Sequence, residues 1–443
     1  MKRNHVLKSK MFANHLLVAV LSVLNAVSGT TQQISLVWWI KSFTNDATGV
    51  YPILIMSSIV YVLFYGVSLL YLWLRFYRGK RIYFSELCGL SGSGKGFFSS
   101  PFFTVIGIGF NNAANGFLIV MAAPSDRTPP IYGAILGCST IIYSLFLSKY
   151  YLRETRSFGR EAYIAVLLSL TSIYMSILPQ LTNSGNPGSD EPTKQVLFWS
   201  GMTLVAFLPG ALYNAQQKKF VLLSARVIEK MCRALHEDSD VLTDYNQDSY
   251  AYWAQVHFNV FTLFLGCVFQ LLFMFSFFWV MLINAPTLNW NGVHLNELGT
   301  NLKNGFECFF GVQSCGHYSL FYGLLFNAAY IMTYTCSIYL NLINLPLSMI
   351  SSQVQGPLTA ITYMVFPSLN LNNTGNNPYG IVPSLFLMCS ALVVYELYRK
   401  DNEGQELQML YEYGAVEINS GLNTTASSGL TMGNKVSTPS FYD

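Results

Sequence analysis

The residues in this chain with the clearest capacity for chemistry are uncharged hydrogen-bonding groups set inside an apolar run. Residues 344 to 367 are long enough to cross a bilayer, yet their middle holds Ser351, Ser352, Gln353, Gln355, Gly356 and Pro357. A span facing lipid on every side does not tolerate such a cluster, so these groups must face protein or water. Pro357 removes one backbone donor and frees a carbonyl one turn earlier, which predicts a kinked helix near the bilayer midplane. Carboxamides donate and accept, so they suit a zwitterionic or polar organic solute better than a bare ion. The competing reading is a helix packed tightly on a neighbour through its small residues. Two glutamines beside a Gly-Pro exceed what close packing needs, which favours the wall of a cavity.

Further amides and hydroxyls recur inside other apolar runs: Asn25, Gln32 and Gln33 in the first, Asn111, Asn112 and Asn115 in the third, and Ser139 and Thr140 in the fourth. Asn214 lies in the sixth, Gln270 in the seventh, and Asn327 and Tyr330 in the eighth. Any one of them alone is most simply interhelical glue. Their collection on spans one, three, eight and nine favours a shared cavity. Every Asp and Glu lies in a loop, a tail or at a span end. No His, Cys or carboxylate cluster has metal-ligand spacing, and no nucleophile has a base placed beside it, so neither metal, cofactor nor enzymatic activity is expected. His257, near the cytosolic end of span seven, is the candidate proton-sensitive group, against the plainer role of an interfacial donor. Residues 89 to 96, Gly-Leu-Ser-Gly-Ser-Gly-Lys-Gly, nearly spell a phosphate-binding loop, but Gly96 stands where Ser or Thr would hold magnesium. They read as a flexible basic linker.

The elements that must position these groups are membrane helices. The 443 residues are 52% hydrophobic and 11% charged, against about a quarter charged in ordinary soluble domains. A net charge of +3 gives no reason to expect a nucleic-acid partner. Windows of about twenty apolar residues place spans near 14–37, 50–74, 101–123, 129–149, 161–181, 196–217, 253–284, 318–340, 345–367 and 378–398. With a cytosolic N-terminus, 21 of the 25 Lys and Arg fall on the cytosolic side, leaving Lys41, Arg127, Lys194 and Lys303 outside. That asymmetry argues for ten spans with both termini cytosolic. The first apolar run is too long for a cleavable leader, so the first span itself should direct insertion. Five spans per half force the second half to be inverted relative to the first. Residues 128 to 142 match the stretch around Gln353 in position and kind, beginning with proline and turning polar at Ser139 and Thr140. The predicted fold is therefore an all-α membrane protein of ten transmembrane helices, arranged as two inverted five-helix repeats around a central cavity. The repeats occupy 14–182 and 196–398, after a cytosolic N-terminus at 1–13 and before a disordered cytosolic tail at 399–443.

Residues 218–250 form a long cytosolic insertion, read either as an interfacial amphipathic helix or as an extension of span six. The lumenal loop at 285–317 carries Cys308 and Cys315, two thiols together in a compartment that is usually oxidising, which predicts a disulfide. Asn372 begins an acceptor sequon for glycosylation in the last external loop.

At residues 300–308, Thr-Asn-Leu-Lys-Asn-Gly-Phe-Glu-Cys, and at Gln355-Gly356-Pro357, the chain resembles the chloroquine-resistance-transporter-like family of the drug/metabolite transporter superfamily. Cys308 matches a family lumenal cysteine. The resemblance implies inverted five-helix repeats, alternating access, and export of amino acids, small peptides or cationic drugs from an acidic digestive vacuole, with protons as the coupling ion. The chain departs from the family at Asn111, Asn112, Asn115, Asn327 and Tyr330, since family members can carry acidic residues in spans three and eight. The lumenal loop keeps two cysteines where four can occur.

The expected protein is thus a monomeric, multi-pass carrier of the vacuolar or lysosomal membrane, with a small-molecule solute and membrane lipids as its partners. Two rival readings are a nucleotide-sugar or glutathione carrier of the same superfamily and a receptor or scaffold that transports nothing. The first would want cationic side chains facing the cavity, and no Lys or Arg lies deep in any span. The second has no need of paired proline-bearing spans four and nine.

Overall fold

Apolar runs without internal water must satisfy their backbone within each segment, and the chain does so with helices throughout. The computed structural model describes residues 2–43, 51–76, 101–124, 127–152, 158–183, 190–237, 244–286, 292, 294–310, 312, 318–343, 345–369, 381–395 and 397. Helix α1 covers Lys2–Ser42, α2 Tyr51–Phe76, α3 Pro101–Ala122, α4 Pro130–Leu136, α5 Ser139–Tyr150 and α6 Arg160–Asn183. Then come α7 Asp190–Glu237, α8 Asp244–Ser276, α9 Leu298–Phe309, α10 Ser319–Ile343, α11 Leu345–Val365 and α12 Ile381–Tyr395. No β-strand occurs among the described residues. Met1–Glu396 form one compact unit.

Six helices among the described residues are long and apolar enough to cross a membrane: Leu16–Ser42, Tyr51–Leu74, Phe102–Ala122, Pro130–Tyr150, Arg160–Leu178 and Val256–Leu282. Their outer faces expose Leu17, Val20 and Val27 on α1, Leu63, Val67 and Leu70 on α2, and Leu167 and Leu170 on α6. Continuous apolar exposure of this kind fits lipid rather than water. The protein is a multi-pass, all-helical membrane protein.

Three packings organise the interior. Helix α1 lies mainly on α10 and α11, α3 mainly on α7 and α8, and α2 on α8. One end of the bundle is closed by a core of Trp39, Phe117, Trp199, Met274, Phe309 and Phe326. Trp39 is fully buried there, with its ring centroid 5.7 Å from that of Phe309 and 5.4 Å from that of Phe326.

Several elements differ from expectation. The first helix starts at Lys2 rather than near residue 14, because no proline interrupts the chain before Ser42. Helix α7 runs unbroken for 48 residues, so residues 218–237 continue span six as the extension reading has it. The segment 285–317 contains α9. Leu298, Leu302 and Phe306 of that helix pack on the core beside buried Cys308 and Phe309, while Lys303 and Glu307 pair at 3.7 Å on its outer face. Gly305 lets α9 approach Pro52, because a Cβ there would strike the proline ring. Helix α11 continues through Pro357. In span four the hydrogen-bond pattern changes locally. Pro129 and Pro130 start α4, and the bonds Cys138 N to Ile135 O, Thr140 N to Gly137 O and Ile141 N to Cys138 O, each 3.0 Å, tighten the chain for one turn before α5. Cys315, Asn372, the linker at 89–96 and the tail at 399–443 lie outside the described residues, and with Cys315 the predicted disulfide.

Candidate functional site

A chamber of about 340 Å³ opens between α1, α3, α4, α5, α7, α10 and α11, within the usual size of a small-molecule site. Each helix contributes a stripe at helical spacing. On α11 the stripe is Ser352, Gln355, Gly356, Thr359 and Tyr363; on α10 it is Tyr330, Thr333, Tyr334 and Ser337; on α3 it is Asn112, Asn115 and Ile119. Gln32 and Gln33 enter from α1, Thr140 and Ser144 from α5, and Thr203, Tyr213 and Asn214 from α7. Eleven residues separate Ser352 from Tyr363 and Asn112 from Ala123, so the chamber extends about 16 Å along the helices at 1.5 Å per residue. No Asp, Glu, His, Lys or Arg belongs to its lining among the described residues.

Of the candidates from the sequence, Gln32, Asn112, Asn115, Thr140, Tyr330, Ser352, Gln353 and Gln355 line the chamber. Asn25, Asn111, Ser139, Asn327 and Ser351 do not, and each is buried in helix contacts. Asn25 Nδ2 donates to Ser351 Oγ at 2.7 Å and to Ser352 Oγ at 3.2 Å, joining α1 to α11. Asn111 Nδ2 donates to Gln216 Oε1 at 3.0 Å, joining α3 to α7. Asn327 Nδ2 turns back to Gly323 O on its own helix at 2.7 Å. Ser139 sits in the tight turn that begins α5. His257 is buried on α8 away from the chamber lining.

These contacts give the wall its rigidity. Thr333 Oγ1 donates to Ser28 Oγ at 2.8 Å and ties α10 to α1. Asn112 Nδ2 donates to Tyr330 OH at 2.6 Å and to Gln270 Oε1 at 2.8 Å, so one amide holds α3, α8 and α10 together. Tyr330 stacks on Tyr61 at 4.1 Å and on Tyr334 at 5.4 Å, and Tyr334 on Tyr213 at 5.5 Å. The result is an aromatic flank on one side of an amide-lined space. Gln353 stands apart from all of these. Both of its amide atoms are buried, and neither meets a hydrogen-bond partner among the described residues. Comparison with known proteins finds no matching family model and no matching curated sequence. The site therefore stands on its geometry.

Tyr213, Thr333, Tyr334, Ser337, Thr359 and Tyr363 line the chamber although sequence reasoning passed over them. The signal was present as the spacing of Tyr330, Thr333, Tyr334 and Ser337, a polar stripe of period 3.6 in an apolar helix. Asn25 provides a check on the division between wall and glue. Asn25→Ala is expected to lower stability by about 1 kcal/mol, as for a lost interhelical hydrogen bond in a membrane, while leaving solute uptake within about twofold. Thermal melting in detergent and liposome uptake measure the two.

Proposed function

We propose that this protein is a membrane carrier that moves small polar organic solutes by alternating access through the amide-lined chamber. The observation that carries the reading is the chamber itself, of small-molecule size and lined by amides and hydroxyls with no charged side chain among the described residues. The locally tightened span four opposite the proline-bearing α11 supports the same reading, since transporters build midplane sites from such elements.

The full arrangement belongs to this proposal: ten spans, two inverted five-helix repeats, and cytosolic termini. The pairing of α1 with α10 and of α3 with α7 supports it, because a two-fold relation between the halves exchanges span one with six and span three with eight. Location in a vacuolar or lysosomal membrane, and coupling to protons, follow from the resemblance at residues 300–308 and 355–357. Reconstitution into liposomes with labelled amino acids, short peptides and glutathione, with and without a pH gradient, tests the proposal. Saturable uptake of at least one solute is expected, lost in Gln353→Leu and Gln355→Leu while both variants still insert. No uptake above empty liposomes for any solute would reject the carrier reading.

A further inference from the structure

Two chamber amides are docked in glycine notches, and each keeps a carbonyl oxygen that the wall does not pair. The carboxamide of Gln355 lies against Gly29 on α1, where any Cβ would strike its Cδ, Oε1 and Nε2. The carboxamide of Asn115 lies against Gly210 on α7, where a Cβ would come within 2.6 Å of Nδ2. In each case the NH2 group donates to a backbone carbonyl: Gln355 Nε2 to Asn25 O at 3.2 Å, and Asn115 Nδ2 to Ala206 O at 2.8 Å. A backbone carbonyl only accepts, so these partners fix the amide orientation that side-chain partners leave ambiguous. Each of these bonds uses one of the two N–H groups of its amide, while Gln355 Oε1 and Asn115 Oδ1 remain without a hydrogen-bond donor from the described residues.

We infer that Gly29 and Gly210 are positioning residues that hold Gln355 and Asn115 so that their carbonyl oxygens keep no donor from the protein, selecting solutes rich in N–H donors. This inference rests on the carrier reading for its biological setting, but it is a statement about binding and is testable without transport. A solute whose N–H groups are methylated leaves both oxygens unpaired, and a site built to hydrogen-bond a group rejects the analogue that lacks it. A third notch supplies the control. Gly107 on α3 accommodates Gln216 in the same way, with Gln216 Nε2 2.5 Å from a Cβ built there, but Gln216 is not part of the chamber lining.

The experiment uses the full chain in lipid nanodiscs and reads the shift in melting temperature with alanine, alaninamide and alanyl-alanine, each beside a fully N-methylated counterpart that retains no N–H group. Wild type should bind at least one N–H-bearing probe at least tenfold more tightly than its methylated partner. Gly29→Ala and Gly210→Ala should each reduce that preference at least fivefold, and Gly107→Ala should keep it. Gln355→Met and Asn115→Leu, which remove the oxygen without filling a notch, should lose the preference in the same way if either alanine variant fails to fold. Equal binding of methylated and unmethylated probes, no stabilisation by any probe, or an undiminished preference in both chamber-notch variants would overturn the inference. Binding with the expected preference but no liposome uptake would instead reject the carrier reading and leave the docking of the amides intact.

Discussion

Replacing Gln353 by leucine is expected to abolish solute uptake and at the same time to raise the melting temperature of the protein. The two effects have one cause. The Gln353 amide is buried without a partner among the described residues on either polar atom, so the ligand-free fold carries a cost of about 1–3 kcal/mol for each unpaired group. Leucine has similar bulk and no polar atom, and it relieves that cost in a site already lined by Ala134, Gly356 and other apolar groups. A solute that pairs with the amide loses about 2–3 kcal/mol on the same substitution, which is roughly a 30- to 150-fold fall in affinity. Gln355→Leu separates the two contributions. Its amide already donates to Asn25 O at 3.2 Å, so leucine there should reduce uptake without the gain in stability. Uptake assays on reconstituted protein and melting in the same detergent check both variants. A Gln353→Leu protein that melts lower and transports normally would mean that the amide is structural glue, and the site would have to be sought elsewhere.

The contrast between Gln353 and Asn25 also shows where the letters of the sequence stop being informative. Asn111 and Asn112 are neighbours in the chain, yet successive residues on a helix point about 100° apart. One reaches Gln216 on α7 while the other reaches Gln270 on α8 and Tyr330 on α10. Composition places both in a span, but only the packing partners decide that Asn112 lines the chamber and Asn111 binds two helices together. The polar stripe of α10 lay in the letters as hydroxyls repeating every three or four residues in an apolar helix, yet of its members only Tyr330 was singled out from the sequence. Helix α9 was not found by windows of about twenty apolar residues, since it is 12 residues long and amphipathic. Its sign was the recurrence of Leu298, Leu302, Phe306 and Phe309, read over a shorter window. Pro357 is accommodated within α11, while the hydrogen-bond pattern of span four tightens at Gly137 and Cys138, where no proline stands. A lost backbone bond inside a membrane helix is tolerated where neighbouring protein or a water-filled cavity takes up the freed carbonyl. That condition depends on tertiary surroundings rather than on local propensity.

Helices α4 and α11 approach closely at Gly356, and Gly356→Val should be the most damaging small substitution in the chamber wall. A Cβ at this position would stand 2.9 Å from the Ala134 carbonyl oxygen of α4 and 2.6 Å from Met388 Cε of α12. Met388 can swing aside, but the Ala134 carbonyl is backbone, so α4 and α11 must move apart. Overpacking of this kind costs about 1–3 kcal/mol, a loss that membrane insertion can survive. The functional cost is larger, because Ala134, Gly137, Gly356 and Thr359 line the same chamber, and displacing reacting or binding groups by about 1 Å can reduce turnover on the order of 100-fold. Uptake should therefore fall in the order Gly, Ala, Val at position 356, in step with the bulk that must be accommodated against α4. Gly201→Val on α7 is the matched control, since a Cβ there meets nothing within 4 Å. If Gly356→Val transports as well as Gly201→Val, the contact between α4 and α11 is not the part of the wall on which solute passage depends, and the paired-helix mechanism fails with it.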